Sequence, residues 1–288
     1  MDETKLLLCT DIDRTIIPNG LQPEHPQARK WFAEFCNQPQ ITLVYVTGRH
    51  QKLVKEAIKN YHLPCPHYAI TDVGTRIYRI VDQQWQPLQE WSDEIAKDWH
   101  GKSHQQLKQL FADIPELQLQ ESGKQNSHKL SYYVAQHVQH DDLLLMMKER
   151  LQAQKVEASL VWSMDEPKAI GLLDVLPRNA TKLHAIHFLR QQLNYSLDDV
   201  LFAGDSGNDL HVLSSAIPSV LVANATRDIR DMAQAQSQQH NTQQSLYLAS
   251  GKNTPMNGNY SAGVLEGISY FLPVFRPLLT KMGAYCEE

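Results

Sequence analysis

Cysteine is scarce, with four in 288 residues. Cys9, Cys36, Cys65 and Cys286 lie far apart and form no Cys-x-x-Cys pair, which excludes a disulfide-stapled scaffold and a thiolate zinc site and fits reduced thiols. Long apolar runs are missing as well. The most apolar N-terminal stretch, Leu6 to Cys9, is too short for the core of a signal peptide, and no window approaches the roughly 20 apolar residues of a membrane span. The chain is therefore expected to be cytoplasmic, with no membrane partner. Positive charge is in the minority, 27 Lys and Arg against 32 Asp and Glu for a net charge of -5, so no nucleic acid is expected as a partner. Gly (13) and Pro (14) are too few for collagen or a low-complexity chain. Helix-spaced histidine pairs occur, His100 with His104 and His184 with His187, but no third ligand accompanies either, so no histidine metal site is expected.

What is present is an ordinary globular mixture, 42% hydrophobic and 20% charged, long enough for one large core or two smaller ones. Lys5 to Thr10 and Ile41 to Val46 read as buried strands on either side of a helix at Gln27 to Cys36. His67 to Ile70, Asp199 to Ala203 and Ser219 to Val222 add three more strands, with helices at Ala180 to Asn194 and Ser206 to Ser215. The expected fold class is α/β, a parallel-sheet Rossmann-like core. Between residues 83 and 173 the texture changes. Trp85, Trp91 and Trp99 cluster, Lys129 to Val134 alternates, and a helix runs from Asp141 to Gln154, which predicts an inserted α+β domain between core segments 1–82 and 174–288. A Gln-rich stretch, Gln234 to Gln244, reads as a solvated helix face or a loop, Asn253 to Asn259 as a loop, and Ala262 to Phe271 as a last helix. The Asn-x-Ser/Thr sequons, such as Asn224 to Thr226, carry no glycosylation signal in a cytoplasmic chain.

The chemistry gathers just after the strands, where an open parallel sheet forms its ligand crevice. Strand one runs into Asp11-Ile-Asp13-Arg-Thr15, strand two into Thr47-Gly48-Arg49, and the fourth into Gly204-Asp205-Ser206-Gly207-Asn208-Asp209. Two carboxylates two residues apart suit a nucleophile and a proton donor. With Asp205 as a third they repel one another unless a hard cation neutralises them, which implies Mg2+. Such an ion commonly partners a phosphoryl group, and Lys182, Thr47 and Arg49 are available to clamp one. Each segment alone also reads as a cap or turn; their joint position at the strand ends is what argues for a site.

These segments resemble the four ordered motifs of the haloacid dehalogenase superfamily. An insertion between the second motif and the lysine resembles the type-two cap of its sugar phosphatases, and the chain is most similar there to the sucrose-6-phosphate phosphatases. That likeness rests on Thr47-Gly-Arg49, Thr71-Asp-Val-Gly-Thr75, His128-Lys-Leu-Ser-Tyr132, Leu173-Asp-Val-Leu-Pro177 leading to Lys182, and Asn257 to Phe271. It implies Asp11 as nucleophile and metal ligand, Asp13 as acid and base with its carbonyl on the metal, Asp205 as metal ligand and Asp209 as support for that loop. Thr47 and Lys182 would hold phosphoryl oxygens, and Gly48, Arg49, Lys129 and Asn208 are the remaining phosphate- and substrate-side candidates. Lys129 either guards a sheet edge or reaches sugar hydroxyls.

Arg14 and Leu183 depart from the pattern, standing where small or amide residues and glycine are commoner. Asp72 and the Trp-rich insert bear on which sugar is accepted. The implied activity is hydrolysis of sucrose 6-phosphate with Mg2+. Alternatives are mannosylfructose or glucosylglycerol phosphate as substrate, a phosphomutase, or a silent sugar-phosphate-binding partner of a synthase.

Overall fold

The computed structural model describes residues 5–165, 168–252 and 254–286; Asn253, the first residue of the expected Asn253 to Asn259 loop, lies outside them. In chain order the elements are β1 (Leu6–Thr10), α1 (Ala28–Cys36), β2 (Ile41–Val46), α2 (Gln51–Tyr61), β3 (Tyr68–Thr71), β4 (Arg76–Val81), β5 (Gln84–Pro87), α3 (Gln89–Ala96), α4 (His104–Leu110), β6 (Gln118–Leu119) and β7 (Leu130–Ala135). There follow α5 (His140–Ala153), β8 (Ala158–Asp165), β9 (Ile170–Pro177), α6 (Lys182–Gln192), β10 (Val200–Gly204), α7 (Leu210–Leu213), β11 (Ser219–Leu221), α8 (Arg227–Gln239), β12 (Leu246–Leu248), α9 (Ser261–Phe271) and α10 (Arg276–Met282). The large sheet has eight strands in the order β12-β11-β10-β1-β2-β3-β4-β5. Its first six strands are parallel, and β4 and β5 close one side as antiparallel additions.

The run Leu6 to Cys9 is apolar at every position because both of its faces are covered. Leu6 and Leu8 join α1, α2, α9 and α10 in one cluster, while Leu7 and Cys9 join α3, α6, α7 and α8 in another. Each fully buried leucine of this kind contributes roughly 1.5–3 kcal/mol. The small sheet, β6-β7-β9-β8, is entirely antiparallel. It packs Leu130, Tyr132, Val134, Leu173 and Val175 against α4 and α5 in a third cluster, so the α/β core with an α+β insert is as expected.

Sheet membership shifts the expected junctions at residues 83 and 173. β5 extends the large sheet because Trp85 packs edge-on against Tyr78, and Trp91 is buried against His184 and Phe188 of α6. Of the three tryptophans, only Trp99 joins the insert's core. At the other end β9 continues to Pro177 because it pairs along its length with β8. The Gln-rich stretch is the second half of α8 up to Gln239, followed by a turn. The helix expected at Ser206 to Ser215 is a short 3-10 turn, Gly207–Asp209, leading into α7.

Helix α9 is buried on nearly every side and sits hard on the sheet. A β-carbon at Gly267 would stand 2.0 Å from Cγ2 of Val220 in β11. Gly267→Ala should gain about 1 kcal/mol of helix propensity and lose about 1–3 kcal/mol to overpacking, since a β-branched neighbour has few rotamers to move into. The expected result is a lower Tm; a higher one would mean that α9 can lift off the sheet without cost. Among the described residues no helix is long and apolar enough to cross a membrane.

Candidate active site

Parallel register brings the motif segments together. Thr10 at the end of β1 stands beside Tyr45 of β2 on one side and Ala203 of β10 on the other, so the chain leaves three adjacent strands at one level. The Asp11 N–H donates to the Ala203 carbonyl at 2.9 Å. Beyond it the chain turns sharply, with Ile16 and Ile17 donating back to the Ile12 carbonyl at 3.1 and 3.0 Å. Arg14 takes a left-handed φ of 56° in that turn, a conformation rare outside glycine and asparagine, and Asn19 Oδ1 holds its N–H at 2.8 Å. That backbone suits a small or amide residue better than arginine.

Lys182 opens α6 and reaches into the carboxylates. Its Nζ donates to Asp11 at 3.2 Å, to Asn208 Oδ1 at 2.9 Å and to Asp209 at 2.7 Å. Lys182, Asp11, Asp205 and Asp209 are all buried. Burial pushes Asp11 up to about 7, with Lys182 pulling down and Asp209 and Asp205 pushing further up. Burial and then Asp209 raise Asp205 to about 6 against the pull of Arg14. Burial alone would lower Lys182, yet Asp11 and Asp209 hold its ammonium above the ordinary range.

The two remaining carboxylates have different surroundings. Asp209 Oδ2 accepts from the Asp205 and Ser206 N–H groups at 3.1 and 3.2 Å and from Ser206 Oγ at 3.2 Å, which makes it a brace for its own loop. Asp13 lies at the cavity wall with its side chain 37% exposed. Arg49 donates to both of its oxygens at 2.6 Å, and Asn19 adds a bond at 2.7 Å. Thr47 is buried, and its Oγ1 accepts from the Arg49 N–H at 3.2 Å.

Asp11, Asp13, Thr47, Gly48, Arg49, Asp205 and Asn208 all line one cavity of about 510 Å³. Lys129 does not. It sits buried in the small domain, donating to Asp174 at 2.9 Å and also to Ser131, and it precedes β7, an internal strand, so there is no edge for it to guard. Arg14 also lines the cavity, its Nε 3.1 Å from Asp205 Oδ2. Asn19 and Asn224 escaped sequence reasoning. Asn224 donates to the Arg14 carbonyl at 2.6 Å and accepts from the Tyr260 N–H at 2.8 Å. The only sequence signal at Asn224 is the sequon, which points to other chemistry.

The donor set fits a hard cation. Asp11, Asp205 and Asp209 each offer an oxygen within 4.8 Å of the others, and mutual repulsion in a dry site is relieved by a divalent ion. With Asp209 engaged as a brace, Asp11 and Asp205 are the carboxylates whose oxygens could hold a divalent cation. A pH dependence follows. Their folded-state values lie above the ordinary 3.8, so the stability linked to their extra protons is fully present below about pH 4 and is lost as pH rises through 6 and 7. Cation binding needs the ionised forms, so Mg2+ should raise Tm more at about pH 8 than at about pH 5.5. Equal shifts would place the ion elsewhere.

The sequence profile described as sucrose-6F-phosphate phosphohydrolase matches residues 4–272. A Nitrosococcus oceani protein provisionally designated a HAD-like hydrolase is 50% identical over 94% of this chain and 73% of its own. Sucrose-phosphatase 1 of Nicotiana tabacum is 27% identical over 93% of this chain, which spans 59% of that protein's length. Among solved structures, the sucrose-phosphatase of Synechocystis sp. in complex with sucrose and phosphate superposes with a TM-score of 0.69 at 24% identity, over 93% of this chain and 98% of that one. That last likeness is one of fold.

Proposed function

We propose that this chain, which belongs to the sucrose-6F-phosphate phosphohydrolase family, is a cytoplasmic, Mg2+-dependent phosphatase that releases phosphate from sucrose 6-phosphate through a phosphorylated Asp11. The observation that carries the reading is the contrast between two carboxylates. Asp11 is buried beside the Lys182 ammonium, while Asp13, two residues on, stands half-exposed at the cavity wall. Paired carboxylates in unlike surroundings suit a nucleophile and an acid-base group.

An Asp11 oxygen attacks phosphorus, the bond from phosphorus to the sugar oxygen breaks, and Asp13 gives that oxygen its proton. Asp13 then takes a proton from a water molecule, whose oxygen attacks phosphorus and frees Asp11 together with inorganic phosphate. For the first transfer Arg49 must loosen its hold on Asp13, and the entering phosphate is the competing anion for that guanidinium. Lys182 and Thr47 hold phosphoryl oxygens as charge develops. Asp11, Asp205 and the Asp13 carbonyl would hold Mg2+, which when bound would supply charge neutralisation for the phosphoryl group. Asn208 keeps the Lys182 ammonium in place. The insert from α4 to β9 acts as a cap that excludes water and selects the sugar, with Lys129 among its substrate-side candidates. A synthase that makes the sugar phosphate belongs to the same proposal as a partner.

The test is phosphate release from a panel holding sucrose 6-phosphate, mannosylfructose phosphate, glucosylglycerol phosphate and hexose 6-phosphates, with Mg2+ or with EDTA. The expected result is Mg2+-dependent turnover with sucrose 6-phosphate preferred. Preference for another disaccharide phosphate would keep the chemistry and replace the substrate; transfer of phosphate to sugar instead of water would indicate a mutase.

A further inference from the structure

The turn that follows β3 holds Asp72, Val73 and Gly74 in left-handed backbone at φ 51°, 61° and 98°. A β-branched residue there is an outlier that the surroundings must enforce. Each neighbour of the turn belongs to a different part of the candidate site. The Asp72 and Val73 N–H groups donate to the carbonyls of Arg49 and Thr47 at 3.0 and 3.3 Å. Gly74 lies so close to the start of α6 that a β-carbon on it would be 2.7 Å from the Thr181 carbonyl carbon and 3.1 Å from the Lys182 nitrogen. The turn therefore abuts both the Thr47 loop and the base of Lys182.

One side-chain bond ties this turn to the small domain. Buried Thr75 donates through Oγ1 to the Asp72 carbonyl at 3.0 Å and accepts from Asn126 Nδ2 at 2.9 Å. Asn126 is fixed in its own loop, its backbone exchanging bonds with Lys129 at 3.1 and 3.2 Å. The His128 N–H donates to its Oδ1 at 2.8 Å, which sets which end of the amide faces Thr75.

We propose that Asn126 is a positioning residue: through Thr75 and the Asp72–Gly74 turn, the seated cap fixes the Thr47 loop and the start of α6 in the geometry that phosphoryl transfer requires. This rests on the phosphatase reading and adds to it a route by which the cap acts on the phosphoryl group as well as on the sugar. Misplacement of holding groups by about an ångström slows such reactions by up to a hundredfold.

The experiment compares Asn126→Ala, Thr75→Val, Thr75→Ser and the Asn126→Ala/Thr75→Val double variant on sucrose 6-phosphate and on p-nitrophenyl phosphate, whose leaving group has no sugar. Asn126→Ala and Thr75→Val should lower kcat about ten- to a hundredfold by the same factor on both substrates, with KM nearly unchanged. Thr75→Ser, which keeps the hydroxyl, should retain activity, and the double variant should be no slower than the slower single one. Hydrogen exchange at the Asp72 and Val73 amides should quicken about tenfold in Asn126→Ala. A loss confined to the sugar substrate, an effect on KM alone, or unchanged exchange would overturn the proposal. If the unaltered protein hydrolyses neither substrate, the phosphatase reading falls while the exchange measurement still decides whether Asn126 holds the turn.

Discussion

Asp11→Asn is expected to reduce phosphate release by about a thousandfold or more while leaving Tm unchanged or higher. The loss follows from the amide, which cannot form the acyl-phosphate bond. The stability effect follows from burial. Asp11 is pushed up to about 7 by desolvation and by the neighbouring Asp209 and Asp205, so near neutral pH its charge is an unfavourable occupant of the site. Asparagine fills nearly the same volume without that charge, and Lys182 keeps Asp209 and Asn208 as acceptors at 2.7 and 2.9 Å. Phosphate release and thermal melting on the same sample check both halves. Retention of most activity would remove Asp11 as nucleophile, and a sharp fall in Tm would show that its carboxylate is part of what holds the fold.

Lys182→Met should move stability the opposite way. It removes the ammonium that contacts both Asp11 and Asp209, and breaking a buried ion pair by deleting one partner commonly costs about 3–5 kcal/mol. Catalysis should fall about a hundred- to a thousandfold, the range seen when a donor to developing charge is deleted. The helix itself should survive, because Thr181 caps it through the His184 N–H at 3.1 Å and methionine is a good helix former. Added Mg2+ should return part of the lost Tm without restoring turnover to the same degree. A variant as stable as the parent would mean that the carboxylates take up protons in place of the ammonium.

The two variants together divide the site into a member that burdens the fold and a member that supports it. The sequence made much of this legible. The apolar strands β1, β2 and β10 could be read from uninterrupted runs such as Leu6 to Cys9, and the motif residues then fell at strand ends by the rule for parallel sheets. Short strands were harder to see. β12, only Leu246–Leu248, and the polar β5, Gln84–Pro87, carry too little periodicity to separate from loop, and each is held by pairing with the strand beside it, β11 or β4. The neighbours of Trp91 in sequence place it with the insert, whereas its indole donates to the Gly74 carbonyl at 3.0 Å in the core. The Arg49 to Asp13 pair and the Asn19 bond depend on where a turn points its side chains, which composition and spacing do not encode. Lys129 shows the same limit, since its partner Asp174 is paired with Ser131 only through strand register.

The position of β1 also bears on how the chain is made. Its partner on one side, β2, follows within a few dozen residues, but its partner on the other, β10, places Val200 opposite Leu7. At a synthesis rate of about 5–20 residues per second, that edge of β1 waits on the order of 10–40 s for its partner to be made. During that interval an apolar strand presents open backbone donors and acceptors, the template on which nascent chains aggregate. Production in a fast-translating host should therefore be more prone to inclusion bodies than production at lowered temperature, and a chaperone that shields the N-terminal third should matter more than one acting on the finished chain.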